Sequence, residues 1–202
     1  FVFGSEPKAL LQHPAVEAAV DAEGLAEIFI IGPARTPGHG VYSSMKELRP
    51  GHTLTYSRDG VRIQAYWKLE SIAHEDNTEE TALKVRELLM DTVERQLISD
   101  VPVCTLLSGG LDSSALSALA VDYYKRTGQG QVHTYSVDYV DNDKHFKAHA
   151  FQPGADAPWI QRMVDELGTN HHWNEFDTPE VVAALNNSTL TRDLPGMADV
   201  DS

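Results

Sequence analysis

The segment that most constrains the fold covers residues 103–114 and reads VCTLLSGGLDSS. Its first five residues are apolar or nearly so and show no polar alternation, which is typical of a strand covered on both faces in a parallel sheet. Gly109 and Gly110 then allow the backbone to turn sharply, and a helix is expected to begin at about Asp112. The segment therefore predicts a buried strand, a glycine turn and a helix.

The same segment is suited to bind a polyphosphate. The first N–H groups of the expected helix lack internal partners, and the positive end of the helix dipole favours an anion there. The hydroxyls of Ser108, Ser113 and Ser114 add donors. A carboxylate repels phosphate unless a cation lies between them, so we interpret Asp112 as a magnesium ligand. The segment is neither a Walker loop nor a GxGxxG turn, and an ordinary Ser/Gly turn is disfavoured by the flanking elements.

Composition narrows the classes of partner. The 202 residues carry a formal net charge of -14, which argues against a broad basic face for nucleic acid or an anionic membrane. No apolar run approaches the roughly 18 residues of a membrane span, so we expect a soluble protein. The single cysteine, Cys104, lies in the apolar run, and we interpret it as a core residue in a reducing cytosol.

Residues 1–70 predict a mixed α/β region without a catalytic constellation. Asp21 is the expected N-cap of one helix. Gly60 supplies the positive φ of a tight turn between two alternating segments, which predicts a hairpin on the edge of a larger sheet. The expected elements are a strand over residues 1–3, helices over 7–12 and 21–31, and hairpin strands over 52–56 and 61–66.

Residues 71–202 predict alternating helices and strands. Asn77 and Glu80 have the spacing of a capping box, and they begin a helix whose apolar face is expected to pack on a sheet. Parallel strands joined by helices predict a doubly wound α/β fold with its ligand at the carboxyl ends of the strands. The expected elements are strands over residues 103–107, 132–137 and 171–176, and helices over 77–97, 112–128, 156–168 and 178–190.

Two polar clusters in this region are interpreted as structural. His171 and His172 are adjacent, so on a strand they point to opposite faces and cannot easily share one metal ion. Asp138, Asp141 and Asp143 could attract magnesium, but a solvated loop of like charges is the better interpretation.

The sequence SGGLDSS at residues 108–114 resembles the pyrophosphate loop of the ATP pyrophosphatases, which cleave ATP to AMP and pyrophosphate while they adenylate a substrate. Together with four flanking segments, it resembles glutamine-hydrolysing asparagine synthetase over nearly the whole chain. The flanking segments are FGSEPKALL at residues 3–11, LRPGH at 48–52, LGTNHH at 167–172 and LPGMAD at 194–199.

The resemblance implies two domains and an activity. Residues 1–70 would be the tail of an α+β glutaminase domain, and residues 71–202 the first part of a doubly wound synthetase domain of the adenine nucleotide α-hydrolase type. In that family ATP and Mg²⁺ serve to adenylate the aspartate side chain, and ammonia from glutamine then gives asparagine and AMP. The implied partners are these small molecules in the cytoplasm, and a homodimer is left open.

The resemblance also assigns residues to the nucleotide, although it leaves the catalytic residues unassigned. Val137 would lie against adenine, where its backbone could contact the base edge, and Asp112 would bind magnesium. The implied ATP-binding residues are Leu107, Ser108, Gly109, Gly110, Leu111, Asp112, Ser113, Ser114 and Val137.

The chain departs from the family pattern at both ends. It begins at Phe1, whereas the family's glutaminase nucleophile is an N-terminal cysteine, and it ends before the family's second motif, serine-glycine-glutamate-glycine. We therefore expect a fragment that by itself neither hydrolyses glutamine nor makes asparagine. Two alternatives stay open: a β-lactam-synthetase-like amide-forming enzyme and a non-catalytic nucleotide-binding scaffold.

Overall fold

The computed structural model of the chain describes residues 1–30, 35–150 and 152–194. These residues form two compact units. The first unit comprises Phe1–Ala73 together with the described residues from Val182 onward, and the second unit comprises His74–Val181. Within the described ranges, no helix combines the length and the apolar character needed to cross a bilayer.

The first unit begins with two short helices at the predicted positions. These are α1 (Pro7–Leu11) and α2 (Ala22–Phe29). The Asp21 carboxylate accepts the Gly24 N–H at 2.9 Å, which confirms Asp21 as the N-cap of α2. The predicted last residue of α2, Ile31, lies outside the described residues.

The predicted hairpin is present. Strands β1 (His52–Ser57) and β2 (Gly60–Ala65) pair antiparallel, and Gly60 has a φ of +114°, a conformation that favours glycine. In the described part of the chain these two strands form a sheet of their own, so the expectation of an edge position on a larger sheet is wrong.

The strand predicted over residues 1–3 is also wrong. In the described chain these residues pair with no strand, and the Phe1 ring instead stacks on the Tyr56 ring with 4.7 Å between centroids. An apolar run forms a strand only where a neighbouring strand can bond to its backbone, and the described chain places none beside these residues.

The first unit is discontinuous in sequence. The Lys8 N–H of α1 donates to an Asp193 carboxylate oxygen at 2.7 Å, across 185 positions of the chain. The Lys8 ammonium donates to the Thr191 carbonyl at 2.6 Å and lies 3.5 Å from the other Asp193 oxygen. These contacts tie α1 to a segment that the chain reaches only after the whole second unit.

The second unit alternates helices and strands, as predicted. Its three strands pair in parallel, in the order in which they occur in the chain. That the sheet is doubly wound stays a prediction. The elements are α3 (Thr78–Gln96), β3 (Cys104–Leu106), α4 (Leu111–Thr127), β4 (His133–Tyr139), α5 (Asn142–His145), α6 (Ala157–Leu167), β5 (Asn170–Phe176) and the start of α7 (Thr178–Arg192).

The capping box of α3 is confirmed, but the predicted packing of this helix is wrong. The Asn77 and Glu80 side chains each accept the backbone N–H of the other residue at 3.0 Å. The helix packs mainly against α4 rather than the sheet, and Val93 is its buried member. Val93 joins Ala120, Val121 and Val132 in the core of the unit.

Most helix ends follow local signals. Gly128 and Gly168 adopt φ of +70° and +66° and end α4 and α6, as predicted. The start of α7 is shifted by one residue from the expectation, because Asp177 and not Thr178 is the cap. Its carboxylate accepts the Glu180 N–H at 2.8 Å, and the Glu180 carboxylate accepts the Asp177 N–H at 2.9 Å.

The prediction that the strand before the glycine turn is covered on both faces is wrong. Thr105 points towards α4, where its hydroxyl lies 2.9 Å from that of Ser117. Cys104 and Leu106 point the other way and are exposed, so the interpretation of Cys104 as a core residue is wrong too. Side chains alternate along a strand, and α4 covers only one of the two faces.

Candidate nucleotide-binding site

The candidate site lies at the carboxyl end of β3, where the chain leaves the sheet and turns into α4. Leu107 directly follows the strand and is 1% exposed. Its N–H donates to the Tyr135 carbonyl at 2.8 Å, and its own carbonyl accepts the Ser136 hydroxyl. Two contacts from β4 therefore hold the last residue before the loop.

Gly109 and Gly110 make the turn, but only Gly109 requires glycine. Gly109 has φ of +77°, and an added Cβ would lie 3.0 Å from the Asp156 carbonyl oxygen and 3.1 Å from the Trp159 Cβ. Gly110 has φ of -74° and ψ of 166°, and its added Cβ would meet the Ser108 hydroxyl at an ordinary 3.5 Å. Of the two glycines, only Gly109 lies close to the start of α6.

Two serines are joined across the loop. The Ser113 hydroxyl accepts the Ser108 N–H at 3.2 Å and lies 3.0 Å from the Ser108 hydroxyl. It also lies within 3.3 Å of the Gly110 carbonyl, to which it can donate. The Ser114 N–H makes the first helical bond of α4, to the same carbonyl at 3.1 Å. These bonds fix the shape of the loop within the chain itself.

The first turn of α4 leaves donors for an anion. Gly110 is the N-cap and no side chain caps this end, while Leu111 and Asp112 are exposed. The N–H groups of this turn and the helix dipole both favour a bound phosphate. Asp112 has the opposite sign, and in the described ranges no Lys, Arg or His forms an ion pair with it.

Val137 lies in β4 at the edge of the sheet from which the loop departs, and its side chain is half-buried. Alternate residues of a strand direct their backbone groups to opposite neighbours. Tyr135 bonds to Leu107, so Val137 is the next residue of β4 whose N–H and C=O face that side. Because β3 has ended at Leu106, the backbone of Val137 faces the start of the loop.

The adjacent histidines lie on opposite faces, as predicted. His171 Nδ1 lies 2.8 Å from the Thr134 hydroxyl, whereas the His172 ring stacks on Tyr135 with 4.5 Å between centroids. Burial, and to a smaller extent the charge of His172, lowers the pKa of His171 below its usual 6.5. In the part of the chain that the structure describes, no three His, Cys, Asp or Glu side chains are placed to hold a metal ion.

The acidic segment at the end of β4 forms hydrogen bonds and an ion pair within itself. The Asp138 carboxylate accepts the Tyr139 N–H at 2.8 Å and the Asn142 side-chain amide at 2.7 Å. Lys144 forms an ion pair with Asp141, and Asn142 and Lys144 both belong to the short helix α5, which the sequence did not predict. These bonds agree with a structural interpretation of the acidic residues.

Sequence reasoning missed the buried hydroxyls of α4 and of the sheet face towards it. Ser117 and Thr134 are 0% exposed, and Ser136 is 4% exposed. Thr134 also lies 2.9 Å from the Thr169 hydroxyl. The signal was available as the alternation of hydroxyl and larger side chains in β4, where Thr134 and Ser136 occupy every second position.

Comparison with known proteins gives two family matches. A family model described as asparagine synthase matches residues 84–202, and one described as a glutamine amidotransferase domain matches residues 1–67. The first match spans more than half of the chain and includes all of the candidate loop.

Individual relatives agree with these matches. The chain is 53% identical over its whole length to glutamine-hydrolyzing asparagine synthetase 3 of Bacillus subtilis and covers 33% of that protein. It is 32% identical over 148 residues to asparagine synthetase B of Escherichia coli, with 72% of this chain and 26% of that protein covered. A putative asparagine synthetase 2 of Methanocaldococcus jannaschii is 25% identical, with coverages of 90% and 34%. The chain thus spans about a quarter to a third of the length of these relatives.

Proposed function

Because the chain belongs to the asparagine synthase family, we propose that it carries the ATP-binding loop of glutamine-dependent asparagine synthesis. The aspartate side-chain carboxylate would attack the α-phosphate of ATP and release pyrophosphate. Ammonia from glutamine would then attack the acyl-adenylate, form the amide and release AMP. The observation that carries the proposal is the glycine turn of φ +77° followed at once by a helix start without a side-chain cap.

In this proposal the loop holds the β- and γ-phosphates. The N–H groups of the first turn of α4 and the hydroxyls of Ser108, Ser113 and Ser114 would donate to phosphate oxygens. The bonds between Ser108 and Ser113 hold two of these donors in place before the ligand arrives. Preorganised donors stabilise the charge that develops on leaving pyrophosphate, because they need no reorganisation during the reaction. Leu107 and Val137 would border the adenosine.

The residues present fit a magnesium ion at Asp112. Mg²⁺ is commonly bound by one or two carboxylates together with substrate phosphates. Asp112 is an exposed carboxylate beside the proposed phosphate site, and the described chain places no cationic side chain on it. When bound, the ion would neutralise phosphate charge. Asp112 would be the residue of this chain that holds the ion.

We further propose that residues 1–70 form the tail of a glutaminase domain and residues 71–202 the first part of the synthetase domain. The separate family matches to residues 1–67 and 84–202 support this division. Aspartate, ATP and glutamine or ammonia would be the substrates. The structure brings no further residue of the described chain to the loop that we could assign to the chemical step.

The experiment is pyrophosphate release by the natural full-length protein, measured with and without aspartate. Asp112→Asn keeps the size of the side chain but removes its charge, and we expect it to lower kcat/KM for ATP by about 100-fold. Asp122→Asn is the matched control, because Asp122 lies on the same helix and pairs with Arg126 at 2.9 Å, away from the loop. We expect this control to stay within about twofold of the wild type, as surface ion pairs contribute little.

Each alternative gives a different result. Pyrophosphate release that requires another carboxylate substrate in place of aspartate would indicate a β-lactam-synthetase-like enzyme. ATP binding that is unchanged in Asp112→Asn, without any release of pyrophosphate, would indicate a non-catalytic scaffold. Either result would overturn the proposed activity.

A further inference from the structure

The hydrogen bonds at the end of β3 depart from a regular parallel ladder. In such a ladder a residue donates its N–H to one residue of the neighbouring strand, and its C=O accepts from the residue two positions later. The Leu107 N–H follows this pattern, since it donates to the Tyr135 carbonyl at 2.8 Å. The regular acceptor for the Val137 N–H would then be the Leu107 carbonyl.

The Leu107 carbonyl instead accepts the Ser136 hydroxyl, whose side chain stands out of the plane of the ladder. This side chain is 4% exposed. Leu107 is itself 1% exposed, so the contact is enclosed in protein. In the described ranges the Val137 N–H bonds to no backbone carbonyl across the former ladder. The ladder between β3 and β4 therefore ends one hydrogen bond early, at the position where the loop begins.

The N–H and C=O of Val137 are suited to bind one kind of nucleotide base. A backbone N–H and C=O on the same strand edge present one donor and one acceptor side by side. Adenine presents the complementary pair, because its N1 accepts and its 6-amino group donates. Guanine has a donor at N1 and an acceptor at O6, so the same edge would meet two mismatched contacts. Buried polar groups that are left unpaired are costly, which makes such an edge selective.

We propose that Ser136 is a positioning residue for adenine: its hydroxyl holds the Leu107 carbonyl out of the ladder and thereby keeps the Val137 N–H free to bind the base edge beside the Val137 C=O. This inference rests on the proposed ATP site and adds its base selectivity. Ser136 itself does not touch the nucleotide. In its absence the Leu107 carbonyl is available to the Val137 N–H, and the ladder closes by one further bond.

A hydroxyl with a purely structural role would behave differently. It would contribute to the free energy of unfolding, but its removal would leave the ratio of ATP to GTP binding unchanged. The buried Ser117 hydroxyl, 2.9 Å from that of Thr105, is such a structural group on the same side of the sheet. Ser117→Ala is therefore the matched control for Ser136→Ala.

The test uses the natural full-length protein, with MgATP and MgGTP as probes and amide hydrogen exchange at Val137 as a second readout. We expect Ser136→Ala to lower the ATP-to-GTP affinity ratio by about tenfold or more, on the scale of one lost buried hydrogen bond. We also expect it to slow exchange of the Val137 amide in the nucleotide-free protein. Ser136→Thr, which keeps the hydroxyl, should restore the ratio, and Ser117→Ala should leave it unchanged.

Three outcomes would count against the inference. A folded Ser136→Ala protein with wild-type selectivity and wild-type exchange at Val137 would overturn it while the proposed ATP site stands. Equal losses of selectivity in Ser136→Ala and Ser117→Ala would show a general structural effect and would overturn it as well. A wild-type protein that binds neither nucleotide would overturn the proposed function itself, and the inference with it.

Discussion

The two faces of the three-stranded sheet differ in both chemistry and burial. The face towards α4 buries small hydroxylated side chains, with Thr134 and Ser136 at 0% and 4% exposure. The opposite face carries larger side chains such as Tyr135 and His172, and Leu106 on it is 60% exposed. We call them the covered face and the open face. Hydropathy alone would not have predicted that these hydroxyl groups are buried while Leu106 is exposed.

Close approach explains why the covered face is hydroxylated. The Thr105 and Ser117 hydroxyls meet at 2.9 Å between β3 and α4, and Ser117 is fully buried. Small side chains allow the helix to come near the strand, and each buried hydroxyl finds a partner, which avoids the cost of burying an unpaired polar group. The comparison teaches that a small hydroxylated side chain with a hydrogen-bond partner can be buried as fully as the apolar Leu107 on the same face.

The largest expected effect separates two adjacent leucines. Leu107→Ala should lower the free energy of unfolding by about 2–4 kcal/mol, because it removes a fully buried side chain and leaves a cavity. Leu106→Ala, the same change on the open face, should cost less than about 0.5–1 kcal/mol. Urea unfolding of both variants measures the difference. Equal costs would show that the open face is buried in solution.

A smaller effect separates the two glycines of the loop. Gly109→Ala should cost about 1–3 kcal/mol, because the residue has φ of +77° and its Cβ would crowd the start of α6. Gly110→Ala should change stability by less than about 0.5 kcal/mol, since its φ and its surroundings accept a Cβ. Thermal and urea unfolding check both values. A costly Gly110→Ala would contradict the loop geometry.

A pH dependence should arise on the covered face. The pKa of His171 is lowered from its usual 6.5, chiefly by burial, so the unfolded chain binds a proton more readily than the folded chain. The stability associated with neutral His171 is therefore present above pH 6.5 and is lost as the pH falls towards the lowered pKa. His171→Gln should flatten this part of the curve in urea unfolding between about pH 7.5 and 5. If the slope of the free energy of unfolding against pH is unchanged in His171→Gln, another group causes the pH dependence.

The smallest effect is expected for the cysteine. Cys104→Ser should change the free energy of unfolding by less than about 0.5 kcal/mol, because the side chain is exposed on the open face. The Cys104 thiol should also react with a maleimide in the native protein, without prior unfolding. Protection of the thiol in the folded state, measured by mass spectrometry, would show that this face is covered.

Features with a local cause were predictable from the sequence. The capping box of Asn77 and Glu80 and the helix stop at Gly128 depend on a few neighbouring residues. The hairpin around Gly60 and the glycine turn before α4 have the same local character. The placement of the loop at the end of a parallel strand was also predictable, because alternating strands and helices permit few topologies.

Features that depend on a distant partner were not predictable. The apolar face of α3 could pack on a sheet or on another helix, and periodicity is the same in both cases. The apolar run that contains Leu106 and Leu107 does not reveal which leucine a helix will cover. The bond from Ser136 to Leu107 joins residues 29 positions apart and depends on the register of two strands.

The contact between Lys8 and Asp193 can form only late in biosynthesis, because the two residues are 185 positions apart. At roughly 5–20 residues per second, the ribosome needs about 10–40 s to synthesise the 185 positions between these residues. The hairpin of β1 and β2 is local and can form early in that interval, whereas the bond from α1 to the Asp193 carboxylate must form later. The contacts within the continuous segment His74–Val181 can therefore form before the contact between Lys8 and Asp193 does.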